Sequence, residues 1–221
     1  MQQMMARLEE LYFDSYTLTM TDKTTISTYD NSAEQLAAYF SGIGSRLDVI
    51  KEALKLANHP KGARVVEVGC GDGRDAKDIV PLVGWYEGFD PSIELIKLAR
   101  KRSLNASFVL ADALNYNYPK NTDVIFGFAS YLHLNRDDFA KAAKKAAGSL
   151  RSGGIIAITL KERDSYQEEL VKDEFGERWF YYYDEATVKD VLSGGFEILK
   201  IEHRTLNRKT ANWLVILARK I

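Results

Sequence analysis

Between residues 67 and 75 glycines alternate with acids and one thiol: Glu67-Val68-Gly69-Cys70-Gly71-Asp72-Gly73-Arg74-Asp75. The run before them, Arg64-Val65-Val66-Glu67-Val68, is strand-like, and Arg74-Asp75-Ala76 opens a helical stretch. Glycines placed after a first parallel strand let backbone approach a ligand at the carboxyl edge of a sheet. A dinucleotide fingerprint would place its third glycine at 74; here position 74 is arginine and the third glycine is Gly73. Glu67 and Asp72 flank the loop, so a pyrophosphate is a poor neighbour and a cation a good one. Asp90 ends the second strand-like run, 21 residues after Gly69, where an acid can accept both ribose hydroxyls of a nucleoside. Asp112, in Leu110-Ala111-Asp112-Ala113, ends the third, where a carboxylate could accept the exocyclic amine of adenine.

These residues need a scaffold that brings strand ends together. From residue 63 onward short β-branched runs (63–68, 85–89, 108–110, 124–128 and 155–160) alternate with helical patterns. The clearest helix follows Asn135, an N-cap with Asp138 as reciprocal partner, and carries the stripe Phe139, Ala142, Ala143, Ala146, Ala147 and Leu150. Near-continuous apolar strands joined by helices predict a doubly wound α/β domain, helices on both faces of a mostly parallel seven-stranded sheet. At the end, the runs 196–201 and 213–218 are too close for a parallel crossover and predict a C-terminal antiparallel hairpin. Upstream, 1–16 has a weak helical pattern at Leu8, Leu11 and Tyr12, 17–28 reads as a linker or loop, and Ala33, Leu36, Ala37 and Phe40 begin a helical region. The division expected is an N-terminal helical extension or lid over 1–28 and a catalytic domain over 29–221.

Composition narrows the partners. The 221 residues are 46% apolar and carry a net charge of −1, enough for a core and against a strongly basic nucleic-acid binder. Cys70 is the single cysteine, so no intrachain disulfide forms. The sequence has no membrane-length apolar run and no greasy leader, so it reads as cytoplasmic, a monomer or homodimer acting on a small molecule, with no metal site.

The ordered motifs resemble the Rossmann-like class of S-adenosylmethionine-dependent methyltransferases, small-molecule type. Val65–Gly73 resembles that family's first motif, Gly88-Phe89-Asp90-Pro91-Ser92 its second and Leu110–Ala113 its third. Asp123–Phe128 is similar to its fourth strand, and Leu150-Arg151-Ser152-Gly153-Gly154 to the turn into its fifth. The resemblance implies S-adenosyl-L-methionine as cofactor, with Glu67, Gly69, Cys70, Gly71 and Gly73 around its methionine part. It also implies Asp90 and Pro91 at the ribose, Asp112 and Ala113 at the adenine, and Phe128 beside the sulfur. Arg46 would meet the cofactor carboxylate, and Tyr29 is another candidate wall; surface charge and helix packing are the competing readings of both.

A sulfonium methyl is already activated, so the protein supplies alignment and shielding. For a phenol, alcohol or protonated amine a base is needed, and His133, after the fourth strand, is the first candidate, with Tyr131 second; a structural histidine is the alternative. The aromatic string 179–183 offers Trp179, Tyr181 and Tyr182 as a wall for an apolar or cationic acceptor, and Arg178 as a partner for an anionic one. Core packing of an extra strand is the other explanation of that string. The acidic motif of aminopropyl transferases and the Pro-Pro-aromatic motif of nucleobase methyltransferases are both absent after strand four, where Phe128-Ala129-Ser130-Tyr131 stands. A non-catalytic S-adenosylmethionine- or S-adenosylhomocysteine-binding module, and less favourably an RNA or protein methyltransferase, remain the alternatives; an NAD-linked oxidoreductase is disfavoured by the displaced glycine.

Overall fold

The computed structural model describes residues 22–58, 61–102, 104–206 and 211–221. The expected helix over 1–16, the start of the 17–28 loop and the polar loop 207–210 lie outside these residues. Three helices come first: α1 (Lys23–Asn31), α2 (Ala33–Ser41) and α3 (Leu47–Leu56). Then follow β1 (Arg64–Val68), α4 (Ala76–Ile79), β2 (Trp85–Asp90), α5 (Ile93–Lys101), β3 (Ser107–Leu110), β4 (Thr122–Phe128), α6 (Arg136–Ser149) and β5 (Leu150–Lys161). The chain closes with β6 (Gln167–Asp173), β7 (Gly176–Tyr182), α7 (Glu185–Leu192), β8 (Phe196–Leu206) and β9 (Ala211–Lys220).

Seven strands form one sheet in the order β3-β2-β1-β4-β5-β9-β8, parallel from β3 to β5. β9 runs antiparallel between β5 and β8, which is the expected C-terminal hairpin. All of β4 is buried, as a central strand covered on both faces must be. On one face Val66, Val68 and Ile125 pack under Phe139, Ala142 and Ala146 of α6 and Val188 of α7. On the other, Val65, Val124 and Phe126 pack with Ile50 and Ala53 of α3 and Ile96 of α5. The caps are local and readable: Asn135 Oδ1 accepts the Asp138 N–H at 2.9 Å, and Ser92 Oγ accepts the Leu95 N–H at 3.2 Å. Asp138 differs in detail from a reciprocal box, since its carboxylate accepts from the Asn135 side-chain amide and from Lys141.

Three expectations change. β5 begins at Leu150, so Gly153 and Gly154 lie within a strand whose pairing with β4 shifts register between Thr122 and Val124. β6 and β7 form a separate two-stranded antiparallel sheet outside the expected seven strands. Residues 23–28 are helix, not loop: Asp22 caps α1 by accepting the Thr25 N–H at 3.0 Å. The expected boundary at 28/29 therefore cuts through α1.

That helix is fastened to β7 by side-chain hydroxyls. Thr25 Oγ1 accepts the Trp179 N–H at 2.9 Å, and Thr28 Oγ1 donates to the Glu177 carbonyl at 2.7 Å. Ser32 Oγ donates to the Phe175 carbonyl at 2.8 Å. Thr28→Val keeps the shape of this buried side chain but leaves the carbonyl without its donor. It should lower unfolding free energy by about 1 kcal/mol in urea titrations and speed proteolysis of α1.

Candidate active site

The sheet's strand order reverses between β1 and β4, and the crevice outside the carboxyl ends at such a point is where open α/β sheets bind ligands. Here two turns cross closely. Gly69 has φ +66°, and a Cβ on it would stand 2.3 Å from Ser130 Cβ, so only glycine lets the β1 loop pass the end of β4. Gly71, at φ +54°, faces open space, with no atom within 4 Å of where a Cβ would be. Gly73 instead meets Phe108 and Ala99 and serves helix–strand packing rather than the crevice.

A cavity of about 570 Å³ opens there, roofed by α1, α2 and the β6–β7 hairpin. Of the expected residues, Tyr29, Arg46, Gly69, Cys70, Gly71, Asp90, Pro91, Asp112, Ala113, Phe128, Tyr131, His133 and Arg178 all border it. Glu67 does not: it is 1% exposed beneath the loop and accepts the Tyr86 hydroxyl at 2.5 Å. Burial, and then Asp75, push the Glu67 carboxyl well up. Strand alternation corrects the aromatic string as well. Arg178 and Phe180 turn inward, whereas Trp179 and Tyr181 stack on each other outside the cavity at 6.3 Å between rings. Tyr182 is also outside its lining, covered by Arg163 at 3.6 Å.

Asp90, 7% exposed, accepts the Ser92 N–H at 2.9 Å and the Gly71 N–H at 3.0 Å. Burial raises its carboxyl to about 6 against the pull of those two bonds. Asp112 folds its own turn, accepting the Leu114 and Asn115 N–H groups at 2.8 and 2.9 Å. Arg46 pairs with Asp75 at 2.5 Å and lies over the Phe128 ring at 5.3 Å. After Phe128, Ala129 adopts φ +54° and donates its N–H to Thr159 Oγ1 at 2.9 Å. Such backbone strain in a non-glycine residue recurs at binding sites.

His133 is held on both sides. Its Nδ1–H donates to the Trp179 carbonyl at 2.7 Å, so Nε2 accepts the Tyr29 hydroxyl at 2.8 Å. Burial drives its pKa down to about 3, with Arg178 and Lys161 pushing the same way and the carbonyl opposing. This geometry corrects the expectation of a free base: the basic lone pair is taken, and the imidazolium is disfavoured. Tyr131, 0% exposed, packs on Phe139 at 5.0 Å and serves the core. Lys161, Thr159 and Phe180 border the cavity without having been singled out by sequence. Lys161 ends β5 as Asp90 ends β2, and the rule of strand carboxyl ends was the signal that could have found it.

The family model for a methyltransferase domain matches residues 65–154, from β1 through the start of β5. The chain is 26% identical over 129 residues to a trans-aconitate 2-methyltransferase of Rhodopseudomonas palustris, covering 56% of this chain and 49% of that protein. It is 25% identical over 122 residues to a dTDP-3-amino-3,6-dideoxy-alpha-D-glucopyranose N,N-dimethyltransferase of Streptomyces fradiae, covering 52% and 48%. The match thus spans about half the length of these curated relatives. Among solved structures, the Burkholderia thailandensis 1,6-didemethyltoxoflavin-N1-methyltransferase, with its substrate and S-adenosylhomocysteine bound, shares the fold. Its TM-score is 0.72 at 17% identity, over 88% of this chain and 86% of that one. Among the described residues, no acid, histidine or cysteine cluster could hold a metal, and no helix is long and apolar enough to cross a membrane.

Because the folded pKa of His133 lies below that of an unfolded histidine, the unfolded chain binds the extra proton as pH falls below about 6.5. His133 should therefore cost up to about 1.4 kcal/mol of stability per pH unit between 6.5 and 3, and His133→Phe should remove that slope. Its ring resonances should stay in the neutral form through pH 5 in an NMR titration.

Proposed function

We propose that the protein transfers a methyl group from S-adenosyl-L-methionine to an oxygen or nitrogen atom of a small-molecule acceptor. The observation that carries this is the Asp90 carboxylate at the carboxyl edge, fixed by the Gly71 and Ser92 N–H groups beside a glycine that leaves open space above it. The donor set fits the cofactor: a buried carboxylate for ribose hydroxyls, Phe128 for the region beside the sulfur, and acids rather than phosphate-binding amides around the loop. When bound, that cofactor supplies a methyl group on a positively charged sulfur that leaves as a neutral thioether. Asp112 and Ala113 would border the adenine, its ring lying against their turn. Arg46, already over Phe128, is placed to trade Asp75 for the cofactor's carboxylate.

The chain's own contribution is then positioning and exclusion of water. α1 and β7 roof the cavity, and the Tyr29 hydroxyl hangs from His133 into it. His133 acts as a positioning residue for Tyr29, and an acceptor proton leaves to solvent. The methyltransferase relatives and the sugar and toxoflavin substrates in their names support a small acceptor.

Calorimetry tests the cofactor. S-adenosylhomocysteine should bind, and Asp90→Ala should weaken it by about 1.5–3 kcal/mol, the worth of a charge-assisted hydrogen bond. The ribose hydroxyls need the ionised carboxylate, so affinity should be steady above pH 7. It should then fall by up to about tenfold per unit below pH 6, with Asp90→Asn flattening the profile. Binding of NADH without a response to S-adenosylhomocysteine would overturn the proposal.

A further inference from the structure

We propose that the acceptor carries a carboxylate, bound by Lys161 and Arg178 at the β5–β7 end of the cavity. This rests on reading the cavity as a methyl-transfer site. Lys161 is the last residue of β5, and β7 is stitched beside it: the Tyr183 N–H donates to the Lys161 carbonyl at 3.0 Å. The Lys161 ammonium lies 3.6 Å from the centre of the Phe180 ring and 5.7 Å from that of Tyr182, with no carboxylate within 4 Å among the described residues.

The two acids that act on its charge are already paired, and Glu174, which also borders the cavity, is exposed to solvent. Asp173 pairs with Arg178, and Glu169 pairs with Arg163. Arg178 is itself 6% exposed, 5.3 Å from the Phe180 ring centre and 5.5 Å from that of Tyr29. One end of its guanidinium is on Asp173, while its Nε–H is buried without a partner among the described residues. Directly across the β5–β9 ladder from Lys161 stands Trp213, whose indole N–H is also buried and unpartnered. Arg204 borders this end too, but is occupied by Glu202 and Asp48.

Donors without acceptors are expensive to bury, and two cations side by side are more so. The cost is visible at Lys161, whose pKa burial and then Arg178 bring down to about 8. An anionic ligand removes the penalty by supplying the missing acceptor. A cationic acceptor would meet the Lys161 ammonium, which has no carboxylate partner among the described residues, and aromatic faces already covered by Lys161 and Arg163. Tyr29, Leu134, Val171 and Phe180 line the same end, so the anion should sit on an apolar organic body. Asp72, Asp75 and Asp90 border the glycine-loop end, where Arg46 and Arg74 pair with Asp75, and Lys161 borders the other end without a carboxylate partner among the described residues.

The test uses benzoate as probe and its neutral isostere benzamide as control, titrated into the protein saturated with S-adenosylhomocysteine. The indole N–H resonance of Trp213 is followed by NMR and assigned with Trp213→Phe. The expected result is a saturable shift with benzoate, none with benzamide, and at least a tenfold weaker response in Lys161→Met, whose partly buried, aromatic-lined site tolerates an apolar side chain of similar length. S-adenosylhomocysteine affinity in that variant should be unaltered. Benzamide saturating equally, benzoate giving no saturable shift, or Lys161→Met binding benzoate as the parent does would each overturn the carboxylate site. If S-adenosylhomocysteine fails to bind the parent protein, the methyl-transfer reading falls, and the same titration on the ligand-free protein still decides the anion site.

Discussion

Asp90 lies at the end of β2 with almost no contact with solvent, and both of its oxygens are held by backbone N–H groups from different segments. One belongs to the glycine loop that follows β1, the other to the start of α5. A single carboxylate thereby fixes the loop to the neighbouring strand and the helix to both. The same N–H groups keep the charge in a setting where burial would otherwise neutralise it. Asp30 extends the arrangement by taking the Ser92 hydroxyl at 2.6 Å and the Glu94 N–H at 3.2 Å, which ties α1 to the N-terminus of α5. The roof, the loop and the strand edge are positioned from one point.

Around that point the two ends of the cavity follow different physical rules. At the glycine loop, geometry is set by backbone: a left-handed Gly69 passing Ser130, an open Gly71, and a strained Ala129 bonded to Thr159. At the opposite end it is set by side chains gathered from α1, β5, β7 and β9, and by charges lacking full compensation. The first kind of site is suited to a constant ligand and the second to a variable one. That division matches a shared cofactor and a protein-specific acceptor.

How much of this could be read from the sequence follows the same division. Gly69, Gly71, Asp90 and the Asn135 cap were legible because each obeys a rule spanning a few residues: a turn that needs positive φ, an acid closing a strand, an amide facing an N–H three residues on. The mostly parallel seven-stranded sheet followed from alternating strands and helices, and the last hairpin from its short connection. β6 was not legible, because Gln167-Glu168-Glu169-Leu170-Val171-Lys172-Asp173 is polar and pairs only with β7. Nor was α1, whose threonine-rich sequence favours other conformations until Asp22 and contacts with β7 stabilise it. His133 illustrates the deepest limit. Its type and place suggested a base, while its protonation is decided by burial, with Arg178 and Lys161 acting the same way, and its lone pair is taken by Tyr29, 104 residues away. The alternation of β7 likewise turned Phe180, not Trp179 or Tyr181, toward the cavity.

Three of the hydrogen bonds that fasten α1 and the residue after it to the β6–β7 hairpin join neutral groups: two threonine hydroxyls and one serine hydroxyl against main-chain atoms. The ligands that the cavity suits are charged, and the Debye length shortens from about 10 Å at 0.1 M salt to 3 Å at 1 M. Ionic strength therefore acts on one half of the device and passes over the other. Concentrated salt weakens the attraction that draws charged molecules in, yet leaves these three neutral hydrogen bonds in place.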